Sequence, residues 1–158
     1  MKQKVIFIVE DDPAFNKMLA TYLNAKNKWE IHSFSSGEEC LERLDLNPDI
    51  FLQDYILPKM DGIEVMKKVK QKLPHAEFVF LSGQSDIKVA VDALKLGAFD
   101  YIVKDSHAKE NVVNKIEQLV KIFQLIEFKS TQMKSQTILI GSLIASWLIL
   151  LLVIFILK

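Results

Sequence analysis

Asp54 stands at the end of the apolar run Ile50-Phe51-Leu52, inside the segment FLQDYILPKMDG (51–62), and a proline-marked turn follows it. A carboxylate at the carboxyl end of a buried strand lies where open parallel α/β sheets bind ligands, because the loops diverge there and leave a crevice. One loop aspartate carries little weight, since aspartate shapes turns in most proteins. The weight comes from three other strand ends. Val5-Ile6-Phe7-Ile8-Val9 runs into Glu10, Asp11 and Asp12; Phe78-Val79-Phe80-Leu81 runs into Ser82-Gly83; and Tyr101-Ile102-Val103 delivers Lys104. Asp12, followed by Pro13 at a first helical position, reads as a helix N-cap. Glu10 and Asp11 have no such structural use. Beside Asp54 they would crowd three carboxylates at one edge, tolerable only if a hard cation such as Mg2+ joins them. A hydroxyl and an open backbone at 82–83 suit a phosphate oxygen, and a lysine supplies the point charge for a doubly anionic group.

These strand ends need a sheet to bring them together. Apolar periodicity predicts strands near Val5, Ile31, Phe51, Phe78 and Tyr101. It predicts helices over Pro13 to Lys26, Gly37 to Leu46, Gly62 to Leu73, Asp86 to Leu96 and from Ala108 onward. Such alternation implies a parallel sheet covered on both faces, an α/β doubly wound domain large enough for one core. Ser36 with Glu39 reads as a capping box for the second helix, with the neighbouring pair Ser35 and Glu38 leaving its register open. Cys40, next to Leu41 and one turn before Leu44, reads as a core thiol. With a single cysteine no disulfide can form within one chain, in agreement with a reducing compartment. His32, His75 and His107 show no metal-ligand spacing and read as surface or edge residues.

Over roughly positions 2 to 125 the chain resembles the receiver domain of two-component response regulators, including the chemotaxis regulators. The resemblance rests on the acidic pair Glu10-Asp11, the motif D-x-x-L-P-x-M-D-G from Asp54 to Gly62, Ser82-Gly83, and Tyr-x-x-Lys from Tyr101 to Lys104. It implies a flavodoxin-like five-stranded sheet of order 2-1-3-4-5, the order known for the chemotaxis regulators. It also implies that Asp54 accepts a phosphoryl group from a histidine kinase or phosphotransfer protein. Glu10, Asp11, Asp54 and the Ile56 backbone carbonyl would form the Mg2+ site, Glu10 acting through water. Ser82, Gly83 and Lys104 would bind the phosphoryl oxygens, while Ser82 and Tyr101 would relay the switch. The chain departs from the family at Asp105, where proline in a cis bond is common. That predicts either a trans bond with a moved loop or a strained cis bond kept for the site. Ile56 and Gln84 occupy the positions that modulate dephosphorylation, and Ile56 cannot orient a water, which predicts a long-lived phosphoryl group.

Ile138 to Leu157 contains 20 residues without a charge, 15 of them Leu, Ile, Val or Phe. As a helix it would span about 30 Å, the hydrocarbon thickness of a bilayer. Those 15 side chains would contribute at most roughly 5 to 9 kcal/mol toward insertion. Lys121, Lys129 and Lys134 precede the segment and only Lys158 follows it, as the positive-inside rule expects for a cytoplasmic receiver. Gly141, Ser142, Ala145 and Ser146 form a small-residue face. The expected organisation is a receiver over 1–125, a helical linker over 126–137 and a single transmembrane helix over 138–157, in a bacterial inner membrane by family resemblance. Val112, Ile116, Leu119, Phe123 and Ile126, spaced 4, 3, 4 and 3, continue the fifth helix toward the span without Gly or Pro, frayed near Ser130 to Thr137. Beyond Val120 that stripe leaves a homodimeric coiled coil open as an alternative.

Twenty Lys plus Arg balance 20 Asp plus Glu, so no basic footprint argues for nucleic acid. The segment after residue 125 is too short for a helix-turn-helix. No nucleotide loop or hydrolase nucleophile motif appears. The expected function is that of a membrane-anchored, single-domain response regulator, a phosphoacceptor rather than an enzyme, signalling by contact with a membrane-proximal protein. A constitutive membrane-tethered scaffold and a phosphate sink are the alternatives. Replacing Asp54 with Asn separates them, since only scaffolding survives it.

Overall fold

The computed structural model describes residues 3–83 and 87–157. It divides into two units, Met1–Leu119 and Val120–Lys158. The first is built from β1 (Val5–Val9), α1 (Pro13–Asn24), β2 (Glu30–Phe34), α2 (Gly37–Glu42), β3 (Ile50–Asp54), α3 (Gly62–Lys72), β4 (Glu77–Ser82), α4 (Ile87–Lys95), β5 (Asp100–Val103) and the start of α5 (Ala108–Ile156). The strands form one parallel sheet of order β2-β1-β3-β4-β5, as the flavodoxin-like expectation requires. Every residue of β1 and β3 is buried, as in a sheet covered on both faces.

Alternation along the strands divides that buried set. Val5, Phe7, Val9, Phe51, Phe78 and Phe80 share a core with Cys40 and Leu44 and with Val65, Met66 and Val69 of α3. Aromatic rings run across this face, Phe7 lying 5.3 Å from Phe51 and Phe51 stacked 4.5 Å from Phe78. Ile6, Ile8, Ile50 and Leu52, on the alternate positions, are also fully buried, as are Leu19 and Leu23 of α1 and Val112 and Ile116 of α5. The period of two places that set toward the opposite layer.

Capping fixes where the helices that flank the site begin. Asp12 accepts from the amides of Ala14 and Phe15 with Pro13 in the first turn, as the sequence predicts. Asp61 accepts from the Glu64 amide at 2.8 Å and starts α3. At α2 the two capping registers merge. Ser36 Oγ accepts from the Glu39 amide, while the Glu39 carboxylate accepts from the Ser35 amide and hydroxyl, one residue before the cap. Those two bonds hold the Glu39 pKa below the ordinary value.

Two helices are shorter than expected. The second stops at Glu42, and a separate single turn of 3-10 helix follows over Leu44–Leu46, closed by Asn47 in the left-handed region at φ 51°. The first stops at Asn24, before another left-handed asparagine, Asn27, at φ 51°. Asparagine tolerates that conformation, which the periodicity of the apolar residues does not register. The expected start of the fourth helix at Asp86, and Gln84, lie outside the described residues. Cys40 is a fully buried thiol whose Sγ donates to the Gly37 carbonyl, and burial pushes its pKa up to about 12. It is therefore a core residue and no nucleophile at neutral pH.

The fifth helix is unbroken from Ala108 to Ile156, without fraying at Ser130 to Thr137. Ser130 and Thr131 donate to the Glu127 carbonyl and Thr137 to that of Met133, so these hydroxyls bond within the helix. Of the 4-3-4-3 stripe, Val112, Ile116 and Leu119 pack into the first unit, whereas Ile126 is exposed. In the second unit an 18-residue window of the helix reaches a mean hydropathy of 2.8 with none of it buried. Ile138, Leu139, Leu143, Trp147 and Phe155 are all exposed.

Candidate functional site

The register of the central strands decides what meets at the carboxyl edge. In the β3–β4 pairing Asp54 sits opposite Leu81, and in the β4–β5 pairing Ser82 sits opposite Val103. The Lys104 amide donates to the Ser82 carbonyl at 2.8 Å, extending that ladder by one bond and anchoring the lysine beside the hydroxyl residue. Glu10 follows β1 directly and its amide donates to the Phe34 carbonyl. The four strand ends picked out in the sequence thus end at one edge.

There, the Lys104 ammonium donates to Asp54 Oδ2 at 2.7 Å and to Glu10 Oε1 at 2.8 Å. Glu10 Oε2 is 2.6 Å from the same nitrogen, but at an angle too poor for a hydrogen bond, so this buried oxygen is paired by charge alone. Glu10 and Asp54 are 1% and 6% exposed, whereas Asp11 is on the surface. Burial pushes the Glu10 carboxyl up to about 7 against the hydrogen bond from Lys104, and the charge of Asp54 adds to the rise. Burial also pulls the Lys104 ammonium down, but its bonds to Asp54 and Glu10 outweigh that and leave its pKa above the ordinary lysine value.

Glu10, Asp11 and Asp54 each offer a carboxylate oxygen within 4.8 Å of the others. All three are hard oxygen donors, and Glu10 Oε2 has an unfilled lone pair, so the set fits a divalent cation such as Mg2+. Ile56 contributes its amide to Asp54 Oδ1 at 3.2 Å, which fixes the loop that carries its carbonyl. The Ile56 side chain is exposed. Ser82 is buried at the end of β4, and a Cβ built on Gly83 would meet nothing within 4 Å, so backbone there is open to an incoming oxygen. Tyr101 is half-buried against the core at the edge of the sheet. The Lys104–Asp105 peptide bond is trans. Asp105 shapes the turn instead, its carboxylate accepting from the His107 amide and its carbonyl from the Ala108 amide, so it opens α5 as an Asx turn.

Three participants escaped the sequence reading. Phe15 places its ring centroid 5.0 Å from Lys104 Nζ. Gln53, the polar residue inside the β3 run, donates from Nε2 to the Asp54 carbonyl at 3.0 Å and leaves its buried Oε1 without a hydrogen bond. Gly62, read as the last residue of the Asp54 motif and a helix opener but given no role of its own at the site, leaves no room for a side chain, since a Cβ there would press on the Asp54 carbonyl and the Phe80 ring. The break in the apolar run at Gln53 was a visible signal. Phe15 carried none, since an aromatic on the first turn of an amphipathic helix is usually core.

Fold and edge together define a doubly wound α/β domain carrying an acid, a hydroxyl and a lysine at the carboxyl ends of its strands. The chain belongs to the response regulator receiver domain family, whose family model matches residues 6–117. It is 29% identical over 137 residues to the transcriptional regulatory protein CssR of Bacillus subtilis, covering 87% of this chain and 59% of that protein. It is 32% identical over 125 residues to the DNA-binding transcriptional regulator NtrC of Escherichia coli, covering 78% of this chain and 26% of that protein. The structure of a putative response regulator from Chloroflexus aurantiacus matches 76% of this chain and 99% of its own, at 28% identity and a TM-score of 0.68. The chain therefore spans less than two thirds of CssR and about a quarter of NtrC. Receiver domains accept phosphoryl groups from histidine kinases or phosphotransfer partners and bind Mg2+ at an acidic pocket.

Proposed function

We propose that this chain is a membrane-anchored receiver in which Asp54 accepts a phosphoryl group from a histidine kinase or phosphotransfer protein, the domain then signalling by contact with a membrane-proximal protein. The observation that carries the reading is the Lys104 ammonium bound to Asp54 at 2.7 Å, with Glu10 and Asp11 each offering a carboxylate oxygen within 4.8 Å of one on Asp54. An Asp54 oxygen attacks the donor phosphorus and an O–P bond forms. The P–N bond to the donor imidazole breaks, and its electron pair leaves with the nitrogen, which takes up a proton. Little covalent help is needed; positioning and charge neutralisation carry the reaction. Lys104 supplies a fixed positive charge at the acceptor, while the Ser82 hydroxyl and the Gly83 amide donate to phosphoryl oxygens. Asp11, Asp54 and the Ile56 carbonyl, with Glu10 acting through water, would hold Mg2+, which would neutralise charge on the acceptor and the transferring group. Tyr101, at the sheet edge, passes the change outward with Ser82.

Intact mass of the full chain in mild detergent, after incubation with Mg2+ and phosphoramidate, tests the acceptor. One phosphoryl group is expected, absent from Asp54→Asn and in the presence of chelator. An adduct that persists in Asp54→Asn would move the acceptor elsewhere. A folded wild type without any adduct would make the constitutive scaffold the better reading.

The membrane part rests on the uncharged stretch 138–156 of α5, which contains an apolar window with none of it buried. A helix apolar all round is stable in water only when covered, and in a bilayer it needs no cover. Three lysines before it, at 121, 129 and 134, support a cytoplasmic receiver by the positive-inside rule. The chain is expected to stay in the pellet when membranes are washed with alkaline carbonate. Release of the full chain into the supernatant would overturn the anchor, and a variant with three leucines of the segment changed to aspartate should be released.

A further inference from the structure

We infer that Phe15 is a positioning residue for the acceptor site: its ring holds the Lys104 ammonium against Asp54 through a cation–π contact. The inference rests on the phosphoacceptor reading and adds to it a group outside the acid, hydroxyl and lysine set. Lys104 reaches the site on a flexible four-carbon stem and offers three N–H donors. Asp54 Oδ2 and Glu10 Oε1 take bonds at 2.7 and 2.8 Å. Phe15 faces the nitrogen with its ring centroid 5.0 Å away, within the range where the negative face of an aromatic ring attracts a cation.

The ring is itself held. Phe15 sits in the first turn of α1, where its amide and that of Ala14 are tied to Asp12 Oδ1 at 3.3 and 2.8 Å. Its side chain is half-buried, and the Lys104 side chain is only 15% exposed. The N-cap of α1 therefore fixes an aromatic wall, and the wall fixes the lysine. Without the ring, water solvates the ammonium and the stem can swing away from the acceptor oxygen, and fixed charge at the acceptor is what phosphoryl transfer to it requires. Chemistry and bond changes stay those of transfer to Asp54; Phe15 touches neither the phosphorus nor its oxygens.

The test separates ring electrostatics from packing. Phenylalanine at position 15 of the full chain is replaced by its mono-, di- and trifluorinated forms, which keep the shape and weaken the negative face step by step. Two readouts are followed in mild detergent: the rate of phosphoryl uptake from phosphoramidate with Mg2+, and the rate of Lys104 acetylation by acetic anhydride, read by peptide mass. Uptake is expected to fall in a graded way, by roughly three- to tenfold at the trifluoro form, with Lys104 acetylation rising in the same order. Phe15→Leu should resemble the trifluoro form, and Phe15→Trp should match or exceed wild type. Flat rates across the fluorinated series overturn the inference, even if Phe15→Leu is slow, because packing would then explain the leucine effect. If wild type takes up no phosphoryl group, the acceptor reading fails, and the acetylation series alone still decides whether the ring holds the lysine.

Discussion

Lys104→Met is expected to destabilise the chelator-treated protein by about 3 to 5 kcal/mol at pH 8, and by clearly less at pH 6. The methionine keeps most of the stem volume and removes the charge. Glu10 and Asp54 then share a buried edge with no cation between them, in a protein where both are nearly inaccessible to water. The pH difference follows from Glu10, whose carboxyl is pushed by burial from 4.5 to about 7. Its folded pKa lies above its unfolded one, so between these values the folded state binds more protons. The stability contribution of Glu10 is complete below the unfolded value and is lost as pH rises through about 7. At pH 6 a neutral Glu10 asks little of Lys104; at pH 8 an ionised one depends on it. Urea unfolding followed by Trp29 fluorescence in a Trp147→Phe background reads the effect. Adding Glu10→Gln should restore most of the loss at pH 8, as a double-mutant cycle between touching groups requires. Equal losses at the two pH values, without rescue, would mean that the stem of Lys104 matters and its charge does not.

Gly62→Ala should cost about 1 to 3 kcal/mol and slow phosphoryl uptake by at least roughly tenfold. A Cβ here would press on the Asp54 carbonyl oxygen more closely than any real Cβ contact, and would lie 2.8 Å from Phe80 Cε1 and 3.1 Å from Gln53 Cγ. Phe80 is fully buried in the aromatic face and cannot retreat. The Asp54 carbonyl is also tied to Gln53 Nε2 at 3.0 Å, so relief must come from the backbone that aims the Asp54 carboxylate. Gly83→Ala is the control, since its Cβ meets nothing within 4 Å and stability should move by no more than about 0.5 kcal/mol. Unchanged uptake in Gly62→Ala would show that the β3–α3 junction absorbs the methyl group without moving Asp54.

The first of these effects depends on contacts between parts of the chain that are far apart in sequence. Lys104 and Glu10 are separated by 94 positions, Lys104 and Asp54 by 50. The sequence identified each as chemistry at a strand end, because an apolar run that stops at an acid or a lysine is a local signal. It did not show that one ammonium would serve two carboxylates. That depends on which strands are neighbours and in what register, with β3 lying between β1 and β4 and β5 beyond.

Local encoding accounts for what could be foreseen. Apolar runs of strand length, Asp12 with Pro13, and Asp61 with Gly62 specify strands and helix starts through periodicity and hydrogen bonds spanning two or three residues, and the parallel α/β order followed from their alternation. Helix ends were less legible, since α1 and α2 give way to turns that end on the left-handed Asn27 and Asn47, a backbone feature that apolar periodicity does not register. Asp105 was recognised as a departure from the family, but its use as an Asx turn with a trans bond before it depends on the amides of His107 and Ala108 being presented to it. Tertiary structure alone placed the Phe15 ring over Lys104, wedged Gly62 under Asp54 and buried Glu10 deeply enough to raise its pKa. Each of these needs groups carried by different elements to come together, which happens only once the sheet has closed and its layers have packed.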